Sequence, residues 1–268
     1  MSMEVEPPPF GIKEGLIFRR SLTLAVMSVL AEVWHKVIGT QPVPPAWVVA
    51  VSGIAALAAV LAGTAWRLTR NVITIAHEGG HALVSLLCGR RLEGIRLHAD
   101  TSGETYSRGR RTGPGAVLTA AAGYLAPPLL GAGSAWLLAT RHVTAMLWLA
   151  LVLLAATFLA IRNAYGILAV LVTAGAVLAV SALASPDVQA VFAYACSWFL
   201  LLGGARAVFE LSRRRQPGSD AGHLARLTGV PASLWVFAFA VVALGTMALG
   251  ARLLIPGPLH LPGFPRSQ

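Results

Sequence analysis

Five consecutive residues, His77-Glu78-Gly79-Gly80-His81, stand inside a hydrophobic segment, Asn71–Cys88, and have the types and spacing to hold a metal. If the segment is helical, the two histidines lie four residues apart and project from one face, one turn above the other. Two imidazoles so placed can bind a single Zn²⁺, with Glu78 beside them to take a proton from water at the metal. Ionisable groups are costly in an apolar helix and usually mark function. With 7 His and 8 Glu in 268 residues, chance produces an H-E-x-x-H pattern in about half a percent of shuffled chains.

The elements that must carry this pentapeptide are a series of apolar runs: Ser21–Val37, Ala46–Trp66, Asn71–Cys88, Ala116–Ala139, Val143–Ile161, Ala164–Leu183, Val188–Leu211 and Ala232–Leu254. Most are long enough to cross a bilayer as helices. The first contains Glu32 and is followed by His35 and Lys36, which also suits a helix lying in the interface. The expected fold class is therefore all-α integral membrane, a polytopic bundle of about seven or eight transmembrane helices. A single membrane domain is expected over 16–256, between an N-terminal tail (1–15, acidic, proline-rich and disordered) and a C-terminal tail (257–268). No cleavable signal peptide is evident.

Composition excludes a soluble globular domain. The chain is 56% hydrophobic and 12% charged, with a mean hydropathy of +0.70; average chains carry about twice that charge. The net charge of +10 does not point to nucleic acid, because 19 of the 21 basic residues are Arg scattered over short connections without interleaved aromatics. Arg in such connections reads as cytoplasmic anchoring in a lipid bilayer. The two cysteines, Cys88 and Cys196, lie in apolar runs and imply no disulfide framework. Cys88 is seven residues beyond His81, about 10 Å along a helix, too far for the same metal.

Two polar stretches interrupt the apolar pattern. Within 89–115, Gly94-Ile95-Arg96-Leu97-His98-Ala99 alternates, breaks at Ser102-Gly103 and resumes at Glu104–Tyr106, which predicts a short β-hairpin. The second, 212–231, carries Arg213, Arg214, Arg215 and Arg226. Four crossings separate the two, so both are expected on the cytoplasmic face, which would leave Arg67 and Arg70 outside.

A hydrophobic helix bearing His77-Glu78-Gly79-Gly80-His81, then a hairpin and further helices, resembles the site-2 protease family of intramembrane zinc metallopeptidases. The resemblance is nearest to its compact bacterial branch without a PDZ domain. The stretch Ala122-Gly123-Tyr124-Leu125-Ala126-Pro127-Pro128-Leu129-Leu130-Gly131, Arg162-Asn163 and Ser219-Asp220-Ala221 are similar to that branch, and the likeness spans about Asn71 to Leu254. The chain departs from the better-studied members in containing no Leu-Asp-Gly, whose Asp is their third ligand, and no Gly-Pro-x-x-Asn. The resemblance implies a multi-pass protein of a bacterial cell membrane. It also implies a zinc-dependent endopeptidase cleaving membrane-embedded or membrane-adjacent proteins and peptides.

A catalytic zinc takes three protein ligands and leaves one position open. Glu4, Glu6 and Glu14 belong to the tail, Glu93, Asp100 and Glu104 to the hairpin, and Glu32 and Glu210 to helix ends near Lys36 and Arg206. The resemblance of Ser219-Asp220-Ala221 favours Asp220, while an N-cap is its ordinary role. Asp187, His223 and Asp100 stay open as alternatives. One objection faces Asp220: His77 precedes Arg90 by 13 residues, about 20 Å along a straight helix from that end. Either 212–231 re-enters the membrane or the zinc helix is tilted or half-inserted; if neither holds, Asp187 gains.

Three further features border the site in sequence. Pro127-Pro128 should distort a helix, as a packing kink or as a substrate-docking edge. Asn163 either caps a helix or donates to an oxyanion, and Tyr124 is a similar, weaker candidate. The hairpin offers an edge for strand addition by a substrate. The expected assignment is thus Glu78 catalytic and His77, His81 and Asp220 on zinc. Its alternative is a structural or regulatory zinc in an assembly factor or transporter component, closed by a fourth ligand such as His98 or His223.

Overall fold

The computed structural model describes residues 10–213 and 218–255. They form nine α-helices and one two-stranded sheet: α1 (Phe10–Ile38), α2 (Ala46–Leu61), α3 (Gly63–Leu87), β1 (Arg91–Leu97), β2 (Gly103–Arg108), α4 (Pro114–Ala139), α5 (Val143–Ala160), α6 (Ala164–Leu183), α7 (Pro186–Arg213), α8 (Asp220–Thr228) and α9 (Ala232–Leu254). Helix α1 begins inside the stretch expected as tail; residues 1–9, Arg214, Arg215 and the expected C-terminal tail lie outside the described residues.

Among the described residues, five helices are long and apolar enough to cross a membrane: α4, α5, α6, α7 and α9. Helices α2 and α3 qualify only as a pair broken by a bend of 101°, which makes six. The expected seven or eight crossings are not reached. One physical reason is that bend: Ala46–Trp66 and Asn71–Cys88 read as two spans, but the break falls earlier, at Ala62, and the two helices form one bent unit.

The bend also settles the position of Arg70. Helix α2 runs alongside α7 in the same direction, with Gly53 against Trp198 and Val60 further along, packed with Leu202 and Ala207, and Trp66 at the start of α3 donates through Nε1 to Glu210 at 2.9 Å. Helix α3 therefore starts near the Arg213 end of α7, where Arg70 lies 3.4 Å from Glu210. Arg70 and the second Arg-rich stretch belong to one end of the bundle, so the expected breach of the charge rule disappears.

Small residues let the helices close on one another, as is usual where lipid supplies no hydrophobic drive between them. Cys88 lies against Gly115, and Gly80 against Ala122 and Ala126, so α3 and α4 run antiparallel in close contact. Gly131 and Gly250 both meet Leu201 of α7, and Gly204 meets Pro128. Pro127 and Pro128 are buried inside an unbroken α4, which fits the packing reading and leaves them no docking edge.

The hairpin forms where the alternation placed it, with Ile95 opposite Thr105 and Leu97 opposite Gly103. A bulge between Leu92 and Gly94 takes Gly94 to φ 151°, beside Arg162 and the Ala160 carbonyl. Ile95 and Leu97 are buried. The outer edge of β1 is covered: Arg162 N–H donates to Ile95 at 2.9 Å, the Asn163 amide donates to the Leu97 carbonyl at 2.7 Å, and Leu97 N–H donates to Asn163 Oδ1 at 3.2 Å. Asn163 thus serves the strand, and the oxyanion role expected for it gives way to this pairing.

A methyl group on Gly80 would press on Ala126 and come within 2.9 Å of the Ala122 carbonyl, whereas one on Gly133 meets nothing within 4 Å. Gly80→Ala should therefore lose about 1–3 kcal/mol of stability through overpacking, and Gly133→Ala should lose none. Thermal unfolding of both variants in detergent checks this; equal stabilities would contradict the close α3–α4 contact.

Candidate metal centre

Helix α3 presents His77 and His81 toward α4, with ring centroids 4.8 Å apart and nearly perpendicular planes. Their Nε2 atoms are 3.2 Å apart. Asp220 arrives from the first turn of α8, and its Oδ2 lies 3.1 Å from His77 Nε2 and 3.2 Å from His81 Nε2. Three ligand-type atoms thus converge on one point. Among the described residues, no fourth His, Cys, Asp or Glu joins the group.

The local sequence explains how Asp220 becomes available. Ser219, not Asp220, caps α8, accepting from Gly222 N–H at 3.3 Å. Asp220 is left at the first helical position with its carboxylate directed to the imidazoles. Gly229 closes the helix in the left-handed conformation at φ 74°. Ala221 and Leu224 anchor α8 against α4, α7 and α9, among Ala121, Leu211 and Phe239. Burial works to raise the Asp220 carboxyl, but hydrogen bonds with His77 and His81 outweigh it and hold it well below the ordinary carboxylate range.

The ring orientations are fixed from behind. His81 Nδ1 lies 2.7 Å from the Thr119 carbonyl; a carbonyl can only accept, so Nδ1 carries a proton, and Nε2, which meets Asp220 at 3.2 Å, is the nitrogen that a metal would take. Tyr124 packs edge-on against His77 with centroids 4.7 Å apart and stacks on Phe239 at 5.4 Å. Gly123 supplies the remaining condition. A methyl group there would run into His81 Nε2 and sit 2.6 Å from His77 Nε2.

Glu78 is 4% exposed and faces the hairpin instead of the imidazole pair. Thr105 Oγ1 lies 2.7 Å from Glu78 Oε2 and donates to it, and lies 3.1 Å from the Glu78 carbonyl. Gly103 backs the same carboxylate, where a methyl group would meet Oε1 at 2.8 Å. Thr74, one turn earlier, donates to the Thr101 carbonyl at 2.8 Å. The hairpin is thereby latched to α3 at Glu78 and one turn before it.

The other acids and histidines weighed as ligands lie elsewhere. Asp187 is exposed in the first turn of α7. Asp100 accepts from Ser102 Oγ at 2.6 Å and Ser102 N–H at 3.0 Å, contacts that lower its pKa. Glu104 is engaged with Tyr106 and stands 4.0 Å from His98. His223 is exposed on α8. Cys88 ends α3 beside Gly115, half-buried. Sequence reading did not single out Thr105, Thr119, Gly103 or Gly123 individually. Only the inward-facing register of the hairpin, for Thr105, and Gly123 within the Ala122–Gly131 stretch carried a signal.

A bundle of apolar helices around a His-His-Asp group that could hold a metal ion marks a multi-pass membrane protein. The chain belongs to the Peptidase M50B-like family, which it matches over residues 50–250. That span includes those three residues, Glu78 and the hairpin. Neither the curated proteins nor the solved structures give a significant match.

Because the imidazoles occupy the space over Gly123, Gly123→Ala should displace them and weaken metal binding about ten- to hundredfold, the range seen when supporting contacts of a ligand are lost. Zinc titration of the purified variant against wild type checks this. Unchanged affinity would mean that α4 does not set the ring positions.

Proposed function

We infer that the protein is a zinc-dependent intramembrane endopeptidase that hydrolyses peptide bonds of membrane-embedded or membrane-adjacent substrates. The observation that carries this is the convergence of His77, His81 and Asp220 with Glu78 held apart from them by Thr105. The donor set fits zinc: two neutral imidazole nitrogens and one carboxylate oxygen are the ligands of a catalytic site with one open position. The absence of a fourth His, Cys, Asp or Glu from the group among the described residues favours this over a closed structural zinc.

When bound, zinc supplies Lewis acidity toward a carbonyl and toward water. The remaining work falls to the chain. Glu78 accepts a proton from water and returns it to the leaving amine, which requires a carboxylate with one oxygen unencumbered. Thr105 donates to Oε2 and so leaves Oε1 for that transfer. Asp220 stays ionised and offsets the charge of the cation, while Thr119 keeps His81 in the tautomer that presents Nε2.

A substrate must offer an extended peptide bond to these groups. The outer edge of β1 is occupied by Ile161–Asn163, whereas no backbone hydrogen bond leaves the outer edge of β2 among the described residues. Strand β2 also carries Thr105 and Gly103, the residues against Glu78. An unwound substrate segment adding to β2 would lie next to the catalytic carboxylate. The Arg-rich stretches favour a cytoplasmic position for this end of the bundle.

Three substitutions separate the parts of this mechanism. Glu78→Gln should keep zinc and fold while hydrolysis of a membrane-spanning reporter falls to background; full activity would exclude Glu78 as the base. Asp220→Ala should lose zinc affinity, whereas loss of a helix cap alone would cost about 1 kcal/mol of stability and leave affinity unchanged. Thr105→Val should retain zinc but lower cleavage about ten- to hundredfold, the worth of a hydrogen bond to a charged group, with recovery in Thr105→Ser. Equal rates in the Val and Ser variants would show that the hydroxyl does not position Glu78.

A further inference from the structure

Beside the start of α3, just past the bend, an open cleft of about 770 Å³ lies between α3, the hairpin turn and the end of α7, and the metal centre does not use it. Thr64, Arg67 and Arg70 line it from the start of α3, Arg206 and Glu210 from the end of α7, and Asp100 from the hairpin turn. Residues 64, 67 and 70 recur every third position, so they share one face of α3. Glu210 is met from within the cavity wall: its Oε1 accepts from Trp66 Nε1 at 2.9 Å and Arg206 Nε at 3.1 Å, and Arg70 stands 3.4 Å from Oε2. Asp100 is turned to Ser102.

Three guanidinium groups therefore face two carboxylates that already have partners, which leaves one positive charge in excess. Arg67 is exposed and makes no hydrogen bond or ion pair among the described residues. Each guanidinium carries five N–H donors, so Arg70 and Arg206 retain donors after meeting Glu210. Such forks match the oxygens of a phosphate better than any other common anion except a carboxylate.

The surroundings distinguish a lipid phosphate from a free one. Leu61 and Leu68, flanking the bend, are 68% and 75% exposed, and Phe209 beside Glu210 is 57% exposed under Arg213. These side chains do not line the cleft but adjoin its lining residues in the chain; a free anion has no use for such apolar surface, whereas the acyl chains of a phospholipid cover it. Basic pockets between transmembrane helices are known to take anionic headgroups on these grounds. We propose that the cleft beside the α2–α3 bend binds the phosphate of an anionic phospholipid, with Arg67, Arg70 and Arg206 on the headgroup and Leu61, Leu68 and Phe209 against its chains. The site is independent of the peptidase reading, since Arg70 precedes His77 by seven residues, about 10 Å along α3.

Native mass spectrometry of the purified full chain, titrated with phosphatidylglycerol, phosphatidylcholine or inorganic phosphate, tests this. Phosphatidylglycerol should bind at least about tenfold more tightly than phosphatidylcholine. Arg67→Gln should weaken it about fivefold and Arg67→Gln/Arg70→Gln about thirtyfold, each guanidinium contributing a similar factor. Arg91→Gln, an exposed charge on the hairpin, should leave it unchanged. Equal binding of the two lipids, or wild-type affinity in Arg67→Gln, would overturn the proposal. Displacement by inorganic phosphate at matching affinity would also overturn it, assigning the cavity to a free anion. If the double variant does not fold, Arg67→Gln alone decides, because Arg67 is exposed and unpaired.

Discussion

Two imidazoles occupy the volume that a side chain at position 123 would fill, and the backbone of α4 lies directly beneath them. That contact, with the neighbouring approach of Gly80 to Ala122 and Ala126, brings α3 and α4 close enough for the rest of the site to exist. Within a bilayer, where apolar surfaces gain little by meeting one another, helices are held by close van der Waals approach and internal hydrogen bonds. The α3–α4 contact supplies both. It seats the rings, places the Thr119 carbonyl behind His81, and lets the edge of His77 rest on Tyr124. A wider separation would dissolve all three.

Two polar devices then reach into this apolar frame. Short helix α8 delivers Asp220 because Ser219 takes over the cap and Ala221 and Leu224 fix the helix on α4, α7 and α9. The hairpin delivers Thr105 and Gly103 because its β1 edge is tied to Ile161–Asn163 and its turn to Thr74. Irregular backbone packed among apolar helices is tolerable only where its polar groups are met by protein or water. Here Asn163 meets Leu97 at both backbone atoms, and Thr105 meets Glu78 at two oxygens.

Much of this was legible in the sequence because its periodicities are strong. The i, i+4 histidines predicted one helical face, and the alternation through Gly94–Tyr106 predicted the hairpin. Asp220 emerged from a resemblance, and the structure brings it within 3.2 Å of both rings. The bend at Ala62 was not legible. No proline interrupts the chain there, Gly63 alone marks the break, and Ala46–Trp66 is apolar but for Ser52 and Thr64, so the bend depends on tertiary contacts such as Trp66 with Glu210. The depth objection to Asp220 does not keep it from the rings: its carboxylate lies 3.1 and 3.2 Å from the two imidazoles. The partners of Asn163 and Thr105 were hidden because a side chain's hydrogen bond across 66 or 27 residues leaves no trace in local pattern.

The central claim is that two imidazoles and one carboxylate from a distant helix share a single zinc, with a position left open. Zinc K-edge X-ray absorption on the purified protein reads that shell directly. The account predicts four nitrogen or oxygen neighbours at about 2.0–2.2 Å, with scattering from two imidazoles and loss of one oxygen in Asp220→Ala. A sulfur neighbour, a third imidazole, or an identical shell in Asp220→Ala would contradict it.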